Sequence, residues 1–167
     1  MTDAIRTAIE GASTYLTEHP DEARYTDSLA TARVEEGLRI RVEGPSGESL
    51  VTDMPAAVGG GGAAASPGWF LRASVAACVT SLAVMRAAQL GIDGFACEVE
   101  VDSESDDRGI LGLDESVPGG PLSMRIGLRM SGAAPDLLDE LAHWAVAHCP
   151  VSDAVRRAVQ VSVQMLE

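Results

Sequence analysis

Three cysteines are the residues best able to do chemistry in this chain of 167 residues: Cys78, Cys97 and Cys149. Cys78 lies in the run 76–80 (AACVT), and Cys149 lies in the run 148–153 (HCPVSD). A thiol that reduces a peroxide must form a thiolate, and it needs a second thiol to resolve its sulfenic acid before overoxidation. Because Cys78 and Cys149 lie in different predicted elements, they form the candidate pair for that chemistry.

Each cysteine also has a structural interpretation. Free cysteine is among the most buried residue types, so Cys78 could fill space inside an apolar helix. Cys149 could fill a bend where one helix breaks. A new helix starting at Ser152 or Asp153 would instead place the Cys149 thiol near a positive helix end, which lowers a thiol pKa. Cys97 alternates with acidic residues along a strand, and we assign it to the core.

Composition excludes several other kinds of chemistry. All 12 basic residues are arginine, so P-loop, Schiff-base and lysine general-base mechanisms lack their amine. Against 25 acidic residues the net charge is -13, and such a field repels phosphate backbones. We therefore expect no nucleic-acid partner. Arginine is the only permanent cation that could hold a thiolate in this chain.

Metal and phosphate sites are not favoured by the spacing of their usual ligands. His143 and His148 are five residues apart and do not form an HExxH pair, and no CxxC run is present. The acidic series 100–107 lacks the spacing of a calcium loop. The glycine run 59–62 has no following lysine, so it is interpreted as a hinge or a close-packing loop. We expect no metal and no cofactor.

Apolar residues at helical spacing predict two helices in the first half of the chain. One is amphipathic and covers residues 3–18; the other begins at residues 66–67 (SP) and ends at Gly91. The second helix is apolar on nearly every side, so we expect it to be central, and a second subunit could share it. Arg72 and Arg86 leave it too short an uncharged stretch for a membrane span.

Alternation of apolar and polar residues predicts five strands. They cover residues 30–43, 49–52, 95–103, 122–130 and 159–165. A further helix is predicted over residues 135–147, and Ser152 or Asp153 is expected to begin a short one. The order α, ββ, α, ββ, α, β predicts an α+β fold. With no repeats and no evident linker, we expect a single domain over residues 1–167.

The cysteine count and the N-terminus both bear on the compartment. An odd number of cysteines in a chain large enough to bury its own core does not suit a disulfide scaffold, so a reducing cytosol is expected. The first four residues lack the basic start of a signal peptide. We therefore expect a cytoplasmic protein with no membrane partner.

Several segments together resemble the OsmC/Ohr family of osmotically inducible protein C and organic hydroperoxide resistance proteins. The segments are residues 66–71 (SPGWFL) leading into 76–78 (AAC), residues 107–112 (DRGILG) and residues 148–153 (HCPVSD). The resemblance covers residues 30–165 as a family core. The helix within residues 1–25 lies outside it and is additional.

The resemblance implies a fold, an assembly and an activity. The fold would be antiparallel sheets wrapped around a long central helix in an intertwined homodimer, with a thiol site at each dimer interface. Cys78 would be the peroxidatic thiol and Cys149 the resolving thiol of a peroxidase that reduces small organic hydroperoxides in oxidative stress defence. The reductant would be a dithiol such as a lipoyl group on a protein.

One departure from the family pattern bears on activation of the thiol. The organic-peroxide branch of the family usually carries glutamate directly after the proline that opens the central helix. That glutamate orients an arginine against the thiolate. In this chain Gly68 occupies the position of the glutamate. Arg39 is the candidate for that arginine, with Arg33 and Arg41 as rivals. Trp69 could wall an apolar substrate pocket or pack an interface.

Gly68 also supports a rival function. A non-catalytic dimeric module could keep the fold and bind an apolar small molecule at the dimer interface. A Cys78 thiol with an ordinary pKa would favour binding, and one with a lowered pKa would favour the enzyme.

Overall fold

The computed structural model describes residues 2–157 and 159–165. It is a mixed α+β structure with antiparallel sheets, as predicted. The chain forms two compact units, one made of Met1–Ile9 with Ser74–Glu167 and the other of Glu10–Ala73. Its helices and strands are α1 (Thr2–Glu18), β1 (Thr31–Glu36), β2 (Arg39–Glu43), β3 (Ser49–Thr52), α2 (Pro67–Gln89), β4 (Ala96–Glu104), α3 (Asp107–Ile110), β5 (Ser123–Ser131), α4 (Pro135–His148) and α5 (Pro150–Arg156).

The prediction of one strand over residues 30–43 is wrong. The segment is a hairpin in which β1 pairs with β2, and Gly37 makes the turn with a φ of 57°. Val34 lies opposite Ile40, so even-numbered residues face even-numbered residues across the hairpin. The alternation therefore continues in phase through the turn, which made two short strands look like one long strand. The predicted strand over residues 49–52 is confirmed as β3, antiparallel to β2.

The glycine run 59–62 packs closely against the end of β3 around a buried carboxylate. Asp53 accepts hydrogen bonds from the backbone N–H groups of Met54 (2.8 Å), Ala63 (2.9 Å) and Gly61 (3.3 Å). A Cβ on Gly60 would lie 1.9 Å from the Met54 carbonyl oxygen, so only glycine fits there. The hydrogen bond from Ala63 and those from Met54 and Gly61 lower the pKa of Asp53, against the opposing effect of burial. The prediction of a close-packing loop is confirmed.

Asp53→Asn should reduce the dependence of stability on acid pH. The folded-state pKa of Asp53 is lowered, so the carboxylate stabilises the fold above its unfolded pKa of about 4 and loses that effect as the pH falls through the folded pKa. The variant should be less stable than the wild type at pH 7, and the difference should shrink in acid. Urea unfolding of the wild type and the variant, measured from neutral to acid pH, tests this prediction. Asp27→Asn, at an exposed aspartate, is the matched control. An equal difference at every pH would contradict it.

The long helix α2 begins and ends where the sequence predicts. The Ser66 hydroxyl accepts a hydrogen bond from the Trp69 backbone N–H (3.3 Å), and Gly91, with a φ of 70°, follows the last turn. In the unit to which Ser74 and later residues belong, one side of the helix is buried in a core cluster. The buried residues are Val75, Val79, Ala83, Ala87 and Ala88.

By length and composition alone, α2 could also cross a membrane, with a mean hydropathy of 1.5 over its most apolar 18 residues. The core helix of a soluble protein passes the same test; one side of α2 is buried in the core cluster, and 17% of the tested window is buried. Trp69, Leu71 and Met85 nevertheless remain exposed.

Strands β4 and β5 form an antiparallel pair, as predicted for residues 95–103 and 122–130. The pair has one charged face, where Arg125 binds Asp102 and Arg129 binds Glu98. The other face is apolar and half-buried, and it packs against the core cluster. Its side chains are Cys97, Val99, Val101, Met124, Ile126, Leu128 and Met130.

The C-terminal part departs from the sequence predictions at two places. The predicted helix over residues 135–147 is confirmed as α4, but α5 begins at Pro150, before Ser152 and Asp153. Proline suits the first position of a helix, where its missing N–H costs nothing. The predicted strand over residues 159–165 is wrong, because this segment is not in a strand and its apolar side chains are exposed.

Candidate active site

The junction between α4 and α5 positions the Cys149 thiol. Cys149 is fully buried, ends α4 and serves as the N-cap of α5. Its Sγ atom accepts a hydrogen bond from the Ser152 backbone N–H at 3.3 Å. Cysteine here takes the place that Ser, Thr, Asp or Asn usually fills at a helix start. The expectation that Ser152 or Asp153 would cap the helix is therefore wrong, but the location of Cys149 at a helix start is confirmed.

The structure brings Cys78 and Cys149 together. Cys78 lies on α2 beside the core residues Val75 and Val79, and its thiol lies close enough to the Cys149 thiol for the two to interact. The backbone N–H of Val151 also lies near the Cys78 sulfur. Both cysteines are free thiols in this structure, and Cys78 is half-buried. Two thiols in contact can be oxidised to a disulfide with little rearrangement.

The surroundings of Cys78 raise its pKa. Burial is the largest cause and the contact with Cys149 acts in the same direction, while the Val151 N–H partly opposes both. Among the described residues of this unit, no arginine contributes to the shift. The thiol is therefore mostly protonated at neutral pH, and it would need a cation to become a fast nucleophile.

Cys97 does not join the pair. It lies on the apolar face of β4, half-buried against the core cluster, and burial alone raises its pKa. Its assignment to the core is confirmed. This residue therefore serves as an internal comparison for the other two thiols.

The candidate arginines lie on the first hairpin, and each is hydrogen-bonded to a glutamate carboxylate. Arg39 Nε donates to Glu35 at 2.9 Å, and Arg41 Nε donates to the same carboxylate at 2.5 Å. Arg33 is paired with Glu43 at 3.2 Å. The hydrogen bond from Arg41, together with the weaker one from Arg39, lowers the pKa of Glu35 despite partial burial.

Sequence reasoning missed Glu35. The signal was its place on the polar face of the alternating segment, two odd positions before Arg39. Because residues 30–43 were interpreted as one strand, the turn at Gly37 and the resulting contact were not seen. Glu35 is the acid that orients Arg39 and Arg41 in this unit.

Gly68 leaves an open position in the first turn of α2. A Cβ at this residue would have Arg72 Nη1 at 3.9 Å and Ser66 Oγ at 4.0 Å as its nearest neighbours. The missing carboxylate is therefore not excluded by packing. Trp69 is half-exposed and packs edge-on against Phe70, with ring centroids 5.2 Å apart.

Within residues 2–157 and 159–165, no group of three or more His, Cys, Asp or Glu side chains is placed to hold a metal ion. The paired thiols are the chemical feature that distinguishes this site.

The chain belongs to the OsmC family, whose sequence model, described as OsmC-like protein, matches residues 59–164. No curated protein sequence matches the chain. The match begins after the first hairpin, so the expected family core of residues 30–165 and the additional helix in 1–25 stay predictions.

Solved structures share the fold. An organic hydroperoxide resistance protein from Legionella pneumophila is 24% identical, with a TM-score of 0.54 and coverage of 80% of this chain and 91% of that chain. One from Elizabethkingia anophelis is 19% identical, with a TM-score of 0.57 and coverage of 80% and 91%. An OsmC-like protein from Mycoplasma pneumoniae is 14% identical, with a TM-score of 0.61 and coverage of 80% and 89%.

Proposed function

We propose that this chain is a cytoplasmic, thiol-dependent peroxidase that reduces small organic hydroperoxides through Cys78 and Cys149. The observation that carries the proposal is that two free thiols, Cys78 and Cys149, lie close enough to interact. Membership of the OsmC family, and the similarity of the fold to proteins named for organic hydroperoxide resistance, support the substrate class.

The burial of the two thiols supports the proposed order, in which Cys78 reacts first. Cys149 is completely buried, whereas Cys78 is only half-buried, so a peroxide reaches Cys78 first. The Cys78 thiolate attacks one peroxide oxygen, the O–O bond breaks, and the other oxygen leaves as an alcohol after taking a proton. Cys78 is then a sulfenic acid.

The resolving step uses the contact between the thiols. The Cys149 sulfur attacks the Cys78 sulfenic sulfur, a disulfide forms, and the hydroxyl leaves as water. An external dithiol, such as a lipoyl group on a partner protein, then supplies two electrons and two protons and is itself oxidised to a disulfide. No metal or cofactor takes part in this proposed cycle.

The rate of Cys78 oxidation should rise with pH through the neutral range. The pKa of Cys78 is raised and the thiolate is the nucleophile, so each unit of pH below that pKa changes the reactive fraction by about tenfold. Stopped-flow measurement of the second-order rate constant with cumene hydroperoxide between about pH 6 and pH 9 tests this expectation. A rate that is flat across this range would contradict it.

Arg39→Met should slow the oxidation of Cys78 at pH 7 by about tenfold and move the pH–rate profile to more alkaline pH. The support for this role of Arg39 is the family resemblance alone, in which an arginine oriented by a carboxylate activates the thiol; here Glu35 orients Arg39. Arg33→Met is the matched control, since Arg33 is bound to a different carboxylate. If Arg39→Met is oxidised at the wild-type rate, Arg39 does not activate the Cys78 thiolate. A slower oxidation of Arg41→Met or Arg33→Met would then identify the activating arginine.

The proposal includes a homodimer with a thiol site at each interface. Its support from this structure is the apolar surface of α2 that the chain leaves exposed, with Trp69 50% and Met85 38% accessible. A single soluble chain seldom exposes large side chains in this way on its most apolar helix. The packing of Trp69 against a partner or a substrate belongs to the same proposal.

A non-catalytic dimeric module that binds an apolar small molecule is the second candidate. The raised pKa of Cys78 and the absence of a carboxylate at Gly68 favour it. Iodoacetamide labelling of the native protein, compared with the unfolded chain, separates the two. Slow labelling of Cys78 together with no oxidation by peroxide would exclude the peroxidase and leave the binding module, and rapid oxidation by peroxide would exclude the non-catalytic module.

A further inference from the structure

Three side chains join the helix that carries Cys78 to the last turn before Cys149. Arg86 of α2 places its guanidinium carbon 5.0 Å from the centre of the Trp144 ring of α4. The ring of His148 is stacked on the same indole, with ring centroids 4.2 Å apart and an angle of 16° between the planes. We call these three residues the tryptophan stack. They belong to the same compact unit as both cysteines.

The interactions within the tryptophan stack are directional. A guanidinium near an indole ring is attracted by the ring quadrupole, and stacked rings have preferred orientations. The Nδ1 atom of His148 lies 2.8 Å from the Trp144 carbonyl oxygen. Because a carbonyl oxygen only accepts hydrogen bonds, Nδ1 carries the hydrogen. The imidazole is therefore held by the indole ring and by the backbone, which fixes the turn of α4 that leads into Cys149.

The core of this unit does not by itself fix α2 and α4 in one relative position. Ala83 on α2 and Ala145 on α4 are fully buried in the same cluster. Burial of apolar area is favourable but non-directional, and methyl groups give little resistance to a small shift of a helix. A disulfide needs its two Cβ atoms about 3.8 Å apart, and a displacement of about 1 Å disturbs such a geometry. A directional contact between the two helices therefore matters for the thiol pair.

The charge of Arg86 does not act on Cys78 directly. The two residues are eight positions apart on α2, which is about 12 Å along a helix. That length exceeds the Debye length of about 8 Å at physiological ionic strength. Arg86 is also not among the causes that shift the pKa of Cys78. The contribution of Arg86 to the thiol pair is therefore one of position.

We propose that Arg86, Trp144 and His148 are positioning residues for the resolving step. They hold α4 on α2 so that the Cys149 sulfur stays within bonding reach of Cys78. When Cys78 is a sulfenic acid, the Cys149 sulfur attacks it, the S–O bond breaks as the S–S bond forms, and the hydroxyl leaves with a proton as water. The role in this step rests on the proposed function, but the position of the two thiols also sets the stability of their disulfide, whatever oxidant forms it.

The reduction potential of the Cys78–Cys149 pair, measured in dithiothreitol buffers, tests the tryptophan stack without peroxide. Arg86→Met removes the cation and should destabilise the disulfide about tenfold, which raises the potential by about 30 mV. Arg86→Lys retains a cation and should restore part of that loss. Arg125→Met removes the same charge from the exposed face of β5, so it should leave the potential at the wild-type value.

His148→Ala is the second variant, and His143→Ala is its matched control. Both histidines are exposed on α4, and each places Nδ1 at the backbone oxygen four residues earlier, but it is His148 that stacks on Trp144. His148→Ala should destabilise the disulfide about threefold, and His143→Ala should not change it. With one equivalent of cumene hydroperoxide, Arg86→Met and His148→Ala should form the sulfenic acid at the wild-type rate and convert it to disulfide more slowly. Circular dichroism verifies that each variant is folded.

The possible results separate the tryptophan stack from the proposed function. Equal potentials for the wild type, Arg86→Met and His148→Ala would overturn the role of the stack, even if peroxide is reduced at the full rate. If peroxide does not oxidise the wild type but the potential still depends on Arg86, the proposed function fails and the positioning role stands. A wild type that forms no disulfide between Cys78 and Cys149 in any dithiothreitol buffer would overturn both.

Discussion

Cys78→Ser is expected to abolish the reduction of cumene hydroperoxide, with a loss of at least about 1,000-fold in the second-order rate constant. Serine has nearly the same size, but its hydroxyl is not ionised near neutral pH and cannot carry the oxidised states of sulfur. Cys78 is half-buried beside the Val151 N–H and the Cys149 thiol, so a serine hydroxyl retains hydrogen-bonding partners. The fold should therefore survive, and circular dichroism will verify it.

The matched control for Cys78→Ser is Cys97→Ala. Cys97 is half-buried against the core cluster and does not contribute to the pKa shift of Cys78, so its loss should leave the rate of peroxide reduction unchanged. If Cys78→Ser reacts at the wild-type rate, Cys78 is not the peroxidatic residue. If Cys97→Ala loses the rate instead, the reactive thiol is the one on β4.

Cys149→Ser is expected to permit one oxidation and no second turnover. Cys78 should react with the first equivalent of peroxide at the wild-type rate, because the attacking thiol is unchanged. Its sulfenic acid then has no resolving thiol, and excess peroxide drives it to sulfinic acid. Serine is a good N-cap, and its hydroxyl can accept the hydrogen bond that the Ser152 N–H donates to the Cys149 sulfur in the wild type. The start of α5 should therefore be retained.

Mass spectrometry separates the possible results for Cys149→Ser. The expected product of one equivalent of peroxide gains one oxygen atom and is trapped by dimedone at Cys78. Sustained turnover of the variant with a lipoyl dithiol, at the wild-type rate, would show that Cys149 is not needed for resolution. A disulfide between Cys78 and Cys97 in this variant would show that another thiol can replace it.

Much of the fold could be predicted from local patterns. The caps of α2, the period-two alternation of β4 and β5, and the helical spacing of α4 are each set within a short stretch of chain. The first hairpin was missed because its turn keeps even positions opposite even positions, so alternation continues from β1 into β2. The glycine at position 37 was the signal for this turn in the sequence, because glycine readily adopts the positive φ that the turn requires.

The pairing of Cys78 and Cys149 could be expected, but the electrostatics of the site could not. The break at Pro150 placed Cys149 at a helix start, which the structure confirms. The raised pKa of Cys78 depends on burial and on a contact between residues 71 positions apart, and neither is visible in local spacing. Glu35 was missed for the same reason, since it reaches Arg41 only across the turn.

Intact-mass analysis of the fully reduced wild-type protein, before and after one equivalent of cumene hydroperoxide, tests the proposed thiol pair most directly. The expected result is rapid loss of two hydrogens, with peptide mapping that places one disulfide between Cys78 and Cys149. Hydrogen peroxide in a parallel reaction should act more slowly, in keeping with an organic substrate. If both thiols remain reduced for minutes with either oxidant, the chain is not a peroxidase of this kind.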